Sequence, residues 1–448
     1  MMKKTIHIIS LGCPKNLVDS EVMAASLEEE GFVISAHEAE AEILLLNTCA
    51  FILPAKEESI EEILRLAQWK MAGKCAYLVV TGCLPQRYGN EMARELPEVD
   101  LFLGTGEVGR TAGHIHKLVT SKEPVQQCVV HEPSFLMTAA NRRQISTPFY
   151  SAYLKIADGC TNRCSYCVIP AIRGRARSRS MEDICREAEE LVRRGVRELI
   201  ITAQDTTAYG RDLPGKPTLS NLLTNLCAIN NVRWIRLLYT YPAELTDDVF
   251  FTIARETKIC PYIDIPIQHI DDDILRLMHR RGGSQLIREV IRRAREIIPD
   301  VSLRTSLIVG FPGETPSRFQ KLLHFVDEAR FDHLGVFTYS PEEDTEAQIL
   351  PGQVSEKTKN KRKQHIMETQ AIVSEEINRS LISSFQEVLV EGKSDIAEYP
   401  YVGRSRRQAP DIDGITYIQG KNLSAGDFVT CRITTADEYD LFGVMVDL

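Results

Sequence analysis

The chain has 448 residues, of which 44% are apolar and 26% charged, a composition typical of a soluble protein with two or three domains. The formal net charge of −9 argues against a nonspecific nucleic-acid binder but leaves room for a local basic patch. No apolar run approaches the roughly 18 residues of a membrane span, so we expect a cytoplasmic protein with no membrane partner.

The first third of the chain contains three short apolar runs that each lead into a cysteine. Their alternation with charged, amphipathic segments predicts an open, Rossmann-like α/β sheet with mainly parallel strands. Ligands of such sheets sit beyond the carboxyl ends of the strands, so we predict that the three thiols meet there and form one cluster site. The alternative is three separate buried thiols. The runs are residues 6–11, 43–46 and 77–80, and the cysteines are Cys13, Cys49 and Cys83.

A second set of cysteines, Cys160, Cys164 and Cys167, follows the apolar run 153–157 at C-x3-C-x2-C spacing. Twelve cysteines in this chain are too sparse for a disulfide scaffold, and thiolates are the standard ligands of iron–sulfur clusters. Three thiolates leave one iron of a four-iron cluster without a protein ligand, so that iron can bind a substrate or cofactor. The alternative, a structural zinc site, needs a fourth Cys or His, and none lies within ten residues on either side.

The middle of the chain alternates strand-like apolar runs with longer amphipathic segments. With the strand before Cys160, these make six βα units and predict an incomplete (βα)6 barrel with its chemistry at the carboxyl ends of the strands. The predicted strands are 198–202, 233–239, 262–266, 302–309 and 333–337, and the predicted helices are 180–194, 220–230, 284–298 and 317–329.

A run of four arginines, Arg173, Arg175, Arg177 and Arg179, directly follows the cysteine loop. It is either a solvated basic loop or a docking site for an anionic partner, such as RNA phosphate or a carboxylate substrate.

The last part of the chain begins with a charged helix over 355–381, which we interpret as a connection to a final domain. From residue 385 onward, short strand-like runs separated by Gly, Pro and Asp turns predict a small β-barrel. This segment carries six basic and eleven acidic residues. A net charge of −5 suits a basic protein partner better than a nucleic acid.

The spacing of the second cysteine set is that of the radical S-adenosylmethionine (SAM) superfamily. In addition, residues 11–21 (LGCPKNLVDSE) resemble the opening of radical SAM methylthiotransferases that modify an aspartate of ribosomal protein S-twelve. Relatives that modify tRNA usually carry a Gln-Met or similar pair where Pro14 and Lys15 stand. The resemblance implies two 4Fe–4S clusters, a catalytic one on the second cysteine set and an auxiliary one on the first, with SAM as cofactor. It also implies a C-terminal TRAM module and a 3-methylthioaspartate product.

Further SAM contacts follow from the same resemblance. It places Tyr166 against the adenine, Gln204 near the methionyl amine, Arg304 near the SAM carboxylate, and Gly310 in a glycine motif that accommodates adenine. For each residue the alternative is a polar group that caps a strand end. Ala203-Gln204-Asp205 stands where many superfamily members have Gly-Gly-Glu. The expected contacts are Tyr166, Gln204, Thr240, Gln268, Arg304 and Gly310.

The sequence therefore predicts three domains and a set of partners. The domains are an N-terminal methylthiotransferase domain (1–125), a radical SAM barrel (145–378) and a TRAM domain (380–448). The expected partners are ribosomal protein S-twelve, free or on the small subunit, a low-potential electron donor and a sulfur donor, and we expect a monomer. The alternatives are a tRNA adenosine methylthiotransferase and a metal-stabilised RNA-binding module without enzymatic activity.

Overall fold

The computed structural model describes residues 4–121 and 126–446, and the first of its units is a six-stranded parallel sheet in the order β2-β1-β3-β4-β5-β6. The central run 43–48 is fully buried, and its continuous apolar character is typical of a parallel strand covered on both faces. The strands are β1 (Thr5–Ser10), β2 (Val33–Ile34), β3 (Ile43–Thr48), β4 (Tyr77–Gly82), β5 (Leu101–Leu103) and β6 (Gln127–Val129). The helices are α1 (Pro14–Glu29), α2 (Leu53–Ala72), α3 (Cys83–Glu95) and α4 (Thr111–Thr120).

The second unit is a partial barrel of six parallel strands in the order β14-β13-β12-β11-β10-β7. Its strands are β7 (Ser151–Lys155), β10 (Glu198–Thr202), β11 (Trp234–Leu237), β12 (Ile259–Asp264), β13 (Ser302–Val309) and β14 (His333–Thr338). A short antiparallel pair, β8 (Ala157–Asp158) and β9 (Arg177–Ser178), flanks the cysteine loop. The helices are α5 (Ile169–Arg173), α6 (Met181–Arg193), α7 (Leu219–Ala228), α8 (Asp247–Arg255), α9 (Asp272–Leu277), α10 (Gly283–Ile297) and α11 (Pro316–Ala329).

The third unit is a closed five-stranded barrel, reached through the long helix α12 (Glu356–Ser380). Ser355 caps this helix by accepting a hydrogen bond from the backbone N–H of Thr358. The strands run in the order β15-β16-β17-β19-β18. They are β15 (Phe385–Lys393), β16 (Tyr401–Ser405), β17 (Thr416–Gln419), β18 (Phe428–Ala436) and β19 (Leu441–Met445).

These three units confirm the predicted fold class: a Rossmann-like sheet, a partial barrel and a small C-terminal β-barrel. The sequence prediction did not include helices α3, α4, α5, α8 and α9. Helices α5, α8 and α9 have nine residues or fewer, too few to show a long periodic pattern. Strand β11 ends at Leu237, earlier than predicted, because Tyr239 adopts a positive φ of 59°. The predicted domain boundary at residue 125 lies outside the described residues.

The C-terminal barrel packs against the amino ends of the middle strands through buried ion pairs. Glu198, the first residue of β10, accepts hydrogen bonds from Arg236 at 3.0 Å and from Arg404 at 2.7 Å. Burial alone would raise the pKa of Glu198, but the two guanidinium groups lower it to about 2. Because this end is covered, the carboxyl ends of the strands are left for the site.

Across the described residues, no helix combines the length and apolar character needed to cross a membrane.

Candidate active site at two cysteine sets

Cys160, Cys164 and Cys167 lie on the loop between β8 and α5. The backbone N–H of Cys160 donates to the Gly174 carbonyl at 3.0 Å, and that of Cys167 donates to the Cys164 carbonyl at 3.0 Å. A Cβ on Gly159, whose φ is +82°, would lie 2.3 Å from the Arg175 carbonyl oxygen, so the turn into the loop requires glycine. Burial raises the pKa of Cys160 to about 11 and that of Cys167 to about 12. Metal binding here must therefore release protons.

The loop is anchored to the rest of the barrel on its far side. The Ser165 hydroxyl donates to the Leu277 carbonyl at 2.6 Å, and the Ser165 N–H donates to the Met278 carbonyl at 3.2 Å. The Tyr166 ring packs edge-on against Phe311, with 6.3 Å between centroids. Burial, and after it the nearby Cys164, raises the pKa of Tyr166 well above its usual range. Tyr166 is thus held as a neutral ring within an apolar cluster, and its contact with adenine stays a prediction.

The structure brings Cys13, Cys49 and Cys83 together at the carboxyl edge of the N-terminal sheet. Cys13 is the N-cap residue of α1, Cys49 directly follows β3, and Cys83 is the first residue of α3. The Asn16 side chain links two of these loops, because its amide donates to the Leu11 carbonyl at 3.0 Å and to the Thr48 carbonyl at 2.9 Å. Burial, followed by the neighbouring Cys83, raises the pKa of Cys49 to about 12.

Gly12 and Gly31 offer a matched test of how tightly the N-terminal set is packed. Both have a positive φ, +87° and +89°, but a Cβ on Gly12 would lie 2.7 Å from the Cβ of Cys49, whereas nothing lies within 4 Å at Gly31. We expect Gly12→Ala to displace Cys49 and lower the iron bound by the reconstituted protein. Gly31→Ala carries only the backbone strain, about 1–2 kcal/mol, and should leave the iron content unchanged. Equal iron in the two variants would show that Gly12 does not shape the site.

The two cysteine sets are joined by Arg173, whose buried side chain comes from α5 on the cluster loop. Its guanidinium donates to the Cys83 sulfur at 3.6 Å and also to Asn16 and Asp19. Its other nearby carboxylate is Asp158, at 3.5 Å, two residues before Cys160. One cation therefore contacts the N-terminal set and the start of the second loop at once.

Arg173 belongs to a buried charge network with Lys155, Asp19 and Asp158. The Lys155 ammonium pairs with Asp19 and lies 3.2 Å from Asp158. Burial would raise the pKa of Asp158, but Lys155 and Arg173 hold it well below its usual range. The sequence prediction missed this network, although Asp19 lies within the 11–21 motif and Asp158 directly precedes the Gly-Cys turn.

Lys15 makes a second contact between the N-terminal unit and the barrel. Its ammonium lies 3.4 Å from the centroid of the Tyr239 ring, which follows β11. Burial would raise the pKa of the adjacent Cys13, but Lys15 and then Arg173 lower it. Lys15, one of the two residues by which the resemblance separates the substrate branches, therefore lies between the cysteine set and the barrel.

The arginine run 173–179 was predicted to be either a solvated basic loop or a docking site for an anionic partner. Both predictions are wrong for Arg173 and Arg179. Arg173 and Arg179 are neither solvated nor available to a partner, since both are buried in ion pairs, Arg179 with Asp183 and Glu187. Arg175 is exposed. The burial differs because the four arginines lie in different local structures. Arg173 ends α5, Arg175 follows that helix, Arg177 begins the two-residue strand β9, and Arg179 follows the strand.

Gln204 carries an unsatisfied polar atom beside the cluster loop. Its amide nitrogen donates to Asp158 at 2.8 Å, while its buried Oε1 has no hydrogen-bond partner in residues 4–121 and 126–446. A buried acceptor without a donor is costly, and the amine of a bound SAM would satisfy it. The free hydrogen-bond acceptor of Gln204 therefore fits SAM, the cofactor that the resemblance implies.

The remaining predicted SAM contacts lie in differing surroundings. Thr240 donates its hydroxyl to the Asp264 carbonyl, the strand-capping alternative. Gln268, at a φ of +71°, bridges to β13 through its backbone, and within 4–121 and 126–446 its side-chain amide makes no hydrogen bond. At Gly310 a Cβ would lie 2.2 Å from the side chain of Lys359, so helix α12 fills the space beside this glycine.

Arg304, which was expected near the SAM carboxylate, instead pairs with a carboxylate of the C-terminal barrel. It is the third residue of the eight-residue strand β13, and its guanidinium donates to Asp413 of the C-terminal barrel at 2.6 Å. The physical reason is the covered amino end of the barrel, where this arginine neutralises a carboxylate from the third unit.

The surroundings of the N-terminal cysteine set suit an iron–sulfur cluster. Among the residues that the structure describes, no three or more His, Cys, Asp or Glu side chains are arranged around a single metal position. A four-iron cluster binds each thiolate at a different iron, so its ligands do not converge on one point. The glycine cradle at Cys49 and the N–H donor to Cys83 suit such a group, because hydrogen bonds to sulfur tune it.

Comparisons with known proteins cover the whole chain. Three family models match it: uncharacterized protein family UPF0004 over residues 5–104, the radical SAM superfamily over 154–326 and the TRAM domain over 383–446. The chain is 62% identical to ribosomal protein uS12 methylthiotransferase RimO of Syntrophus aciditrophicus, over 100% of this chain and 99% of the relative. It is 53% identical to the protein of the same name from Geobacter sulfurreducens, over 99% of each.

Among solved structures, the radical SAM methyltransferase TsrM of Kitasatospora setae, with cobalamin and a 4Fe–4S cluster bound, is similar at a TM-score of 0.55 and 17% identity. The alignment covers 78% of this chain and 77% of that one. At this identity the likeness concerns the fold alone.

Proposed function

Because the chain belongs to the RimO family of radical SAM methylthiotransferases, we propose that it methylthiolates the β-carbon of an aspartate in ribosomal protein S-twelve, giving 3-methylthioaspartate. The observation that carries the proposal is Arg173, which contacts Cys83 of one set and Asp158 beside the other. A transfer that draws on two separate metal groups needs both beside the same substrate atom.

We propose that Cys160, Cys164 and Cys167 hold a catalytic 4Fe–4S cluster and that Cys13, Cys49 and Cys83 hold an auxiliary one. SAM would lie against Cys160, Cys164 and Cys167. The unsatisfied Gln204 Oε1 supports Gln204 as one of its contacts, and Tyr166 is a second proposed contact. When bound, these groups supply reductive SAM cleavage and hydrogen removal from an unactivated carbon, chemistry that acid–base side chains lack. Thr240, Gln268 and Gly310 remain proposed contacts.

The protein's own contribution is to position the groups and to exclude water. Lys15, Arg173 and Lys155 are all buried between the cysteine sets. Arg173 and Lys155 pair with Asp19 and Asp158, and Lys15 lies over the Tyr239 ring, so each charge has a fixed neighbour. Fixed dipoles and charges of this kind need no reorganisation during reaction. The network also fixes the N-terminal unit against the barrel.

The proposed organisation comprises a methylthiotransferase domain at 1–125, a radical SAM barrel at 145–378 and a TRAM domain at 380–448. As further parts of the proposal, the protein is a cytoplasmic monomer that takes electrons from a low-potential donor and sulfur from a separate donor. The substrate is ribosomal protein S-twelve, free or on the small subunit.

The surface charge of the C-terminal barrel supports a protein substrate over tRNA. Three of its six basic residues, Arg404, Arg406 and Arg407, bond to the middle barrel and do not form an outer basic surface. The acidic residues that remain exposed include Asp395, Glu398, Asp437 and Glu438. Such a surface attracts a basic protein and repels a phosphate backbone.

The test is a competition assay under anaerobic conditions, with SAM, dithionite, ribosomal protein S-twelve and tRNA in one reaction. Mass spectrometry should find one methylthio group on an aspartate of S-twelve and none on tRNA. Modification of tRNA alone would replace the proposed substrate and leave the fold and both cysteine sets unaffected.

A further inference from the structure

A basic cavity of about 780 Å³ lies against the loop that carries Cys160 and Cys164. Its wall includes Arg163, which stands between the two cysteines in sequence, and Arg175, which follows helix α5. Arg211, His279 and Arg281 complete a basic rim contributed by the loops that follow β10 and α9. A concentration of positive charge is unexpected in a chain of net charge −9.

The acidic groups at this cavity neutralise only part of the basic rim. Glu244 pairs with both Arg211 and Arg281. Asp205 accepts hydrogen bonds from Asn162 and Thr207, and Asp212 accepts one from the backbone N–H of Ser178. Arg163 and Arg175 are exposed, and neither has an ion-pair partner in the part of the chain that the structure describes. Two unpaired guanidinium groups therefore face solvent directly over the loop.

The cavity is also separate from the face where the two cysteine sets meet. All of its lining residues fall between 161 and 281, so the N-terminal sheet contributes none. The contacts that join the sets, through Lys15, Tyr239 and Arg173, involve no residue of the lining. A substrate that must reach both sets approaches elsewhere, whereas a partner that needs only the second set has direct access here.

We propose that this face docks an acidic one-electron carrier protein, an inference that rests on the proposed cluster at Cys160, Cys164 and Cys167. One electron passes from the carrier, which is oxidised by one electron, to the group held by the three thiolates, which is reduced by one. No bond forms or breaks at the interface. Charge complementarity selects the carrier, since a basic ribosomal protein would be repelled by the same arginines.

The experiment measures how fast the reconstituted protein is reduced, with no ribosomal substrate present. The probe is an acidic flavodoxin in its hydroquinone form, mixed with wild type or with an Arg163→Glu/Arg175→Glu variant, and reduction is followed by visible absorbance and electron paramagnetic resonance. At low salt we expect the variant to be reduced roughly tenfold more slowly, and the difference to vanish at high salt. Dithionite, a small reductant that needs no docking, should reduce both proteins equally.

The matched control is Arg186→Glu/Arg193→Glu, which reverses two exposed arginines of α6 outside the cavity and should behave as wild type. An Arg163→Gln/Arg175→Gln variant should be reduced by flavodoxin at an intermediate rate. If the glutamate variant is also reduced slowly by dithionite, its cluster site is damaged, and the glutamine variant then provides the test of docking. Reduction by flavodoxin at the same rate in the Arg163→Glu/Arg175→Glu variant and in wild type would overturn the proposal. Failure of the methylthiolation assay with dithionite would instead count against the proposed function, because that assay bypasses the carrier.

Discussion

Replacement of Cys13 and Cys49 by alanine together is expected to leave SAM cleavage intact and to reduce methylthio transfer below detection. The two residues lie at the N-terminal set, and neither belongs to the loop of Cys160, Cys164 and Cys167. The bound iron should fall by about half, since one of two four-iron groups loses its ligands. Chromatography of SAM products and mass spectrometry of S-twelve measure the two activities separately.

The matched control for this double variant is Cys75→Ala. Cys75 precedes β4 and so lies at the opposite edge of the sheet, where its thiol donates to the Tyr77 carbonyl at 3.3 Å. We expect this variant to retain both activities and its full iron content. Methylthiolation that persists in the Cys13→Ala/Cys49→Ala protein would contradict the proposed auxiliary role of the N-terminal set.

Arg173→Ala is expected to have the largest effect on stability of any single change near the site. Among the residues that the structure describes, the change leaves buried Asp19 and Asp158 with Lys155 as their only cationic partner. Removal of one member of a buried ion pair lowers the free energy of unfolding by about 3–5 kcal/mol. Urea denaturation followed by circular dichroism measures this loss.

The control for Arg173 is Arg175, which lies two residues further along the chain, after the end of α5. Arg175 is exposed and unpaired among the described residues, so Arg175→Ala should change the free energy of unfolding by less than about 0.5 kcal/mol. Similar losses in the two variants would mean that the buried network contributes little to the native structure.

Arg173 and Arg175 also show what could be predicted from the sequence and what could not. The run 173–179 was recognisable as basic, but its sorting into buried and exposed arginines depends on partners far away in the chain. Asp19 is 154 positions from Arg173, and no local pattern connects the two. The strand-end cysteines were predictable because parallel strands share a carboxyl edge, which makes three distant loops neighbours.

Arg304 marks a second limit of the sequence reading. The strand 302–309 was predicted with correct bounds, but the position of a residue within a strand does not reveal which domain covers that end. Asp413 comes from a turn of the C-terminal barrel, and its pairing with Arg304 depends on how the two barrels dock. Contacts between domains of this kind leave no periodic signal in either segment.

The most direct test of the account is a Mössbauer and iron analysis of three anaerobically reconstituted proteins. These are the wild type, the variant with alanine at 13, 49 and 83, and the variant with alanine at 160, 164 and 167. We predict two 4Fe–4S clusters in the wild type and one in each variant, with SAM perturbing only the cluster that remains in the first variant. A wild type with one cluster, or iron unaffected by loss of the N-terminal cysteines, would contradict the assignment of two sites.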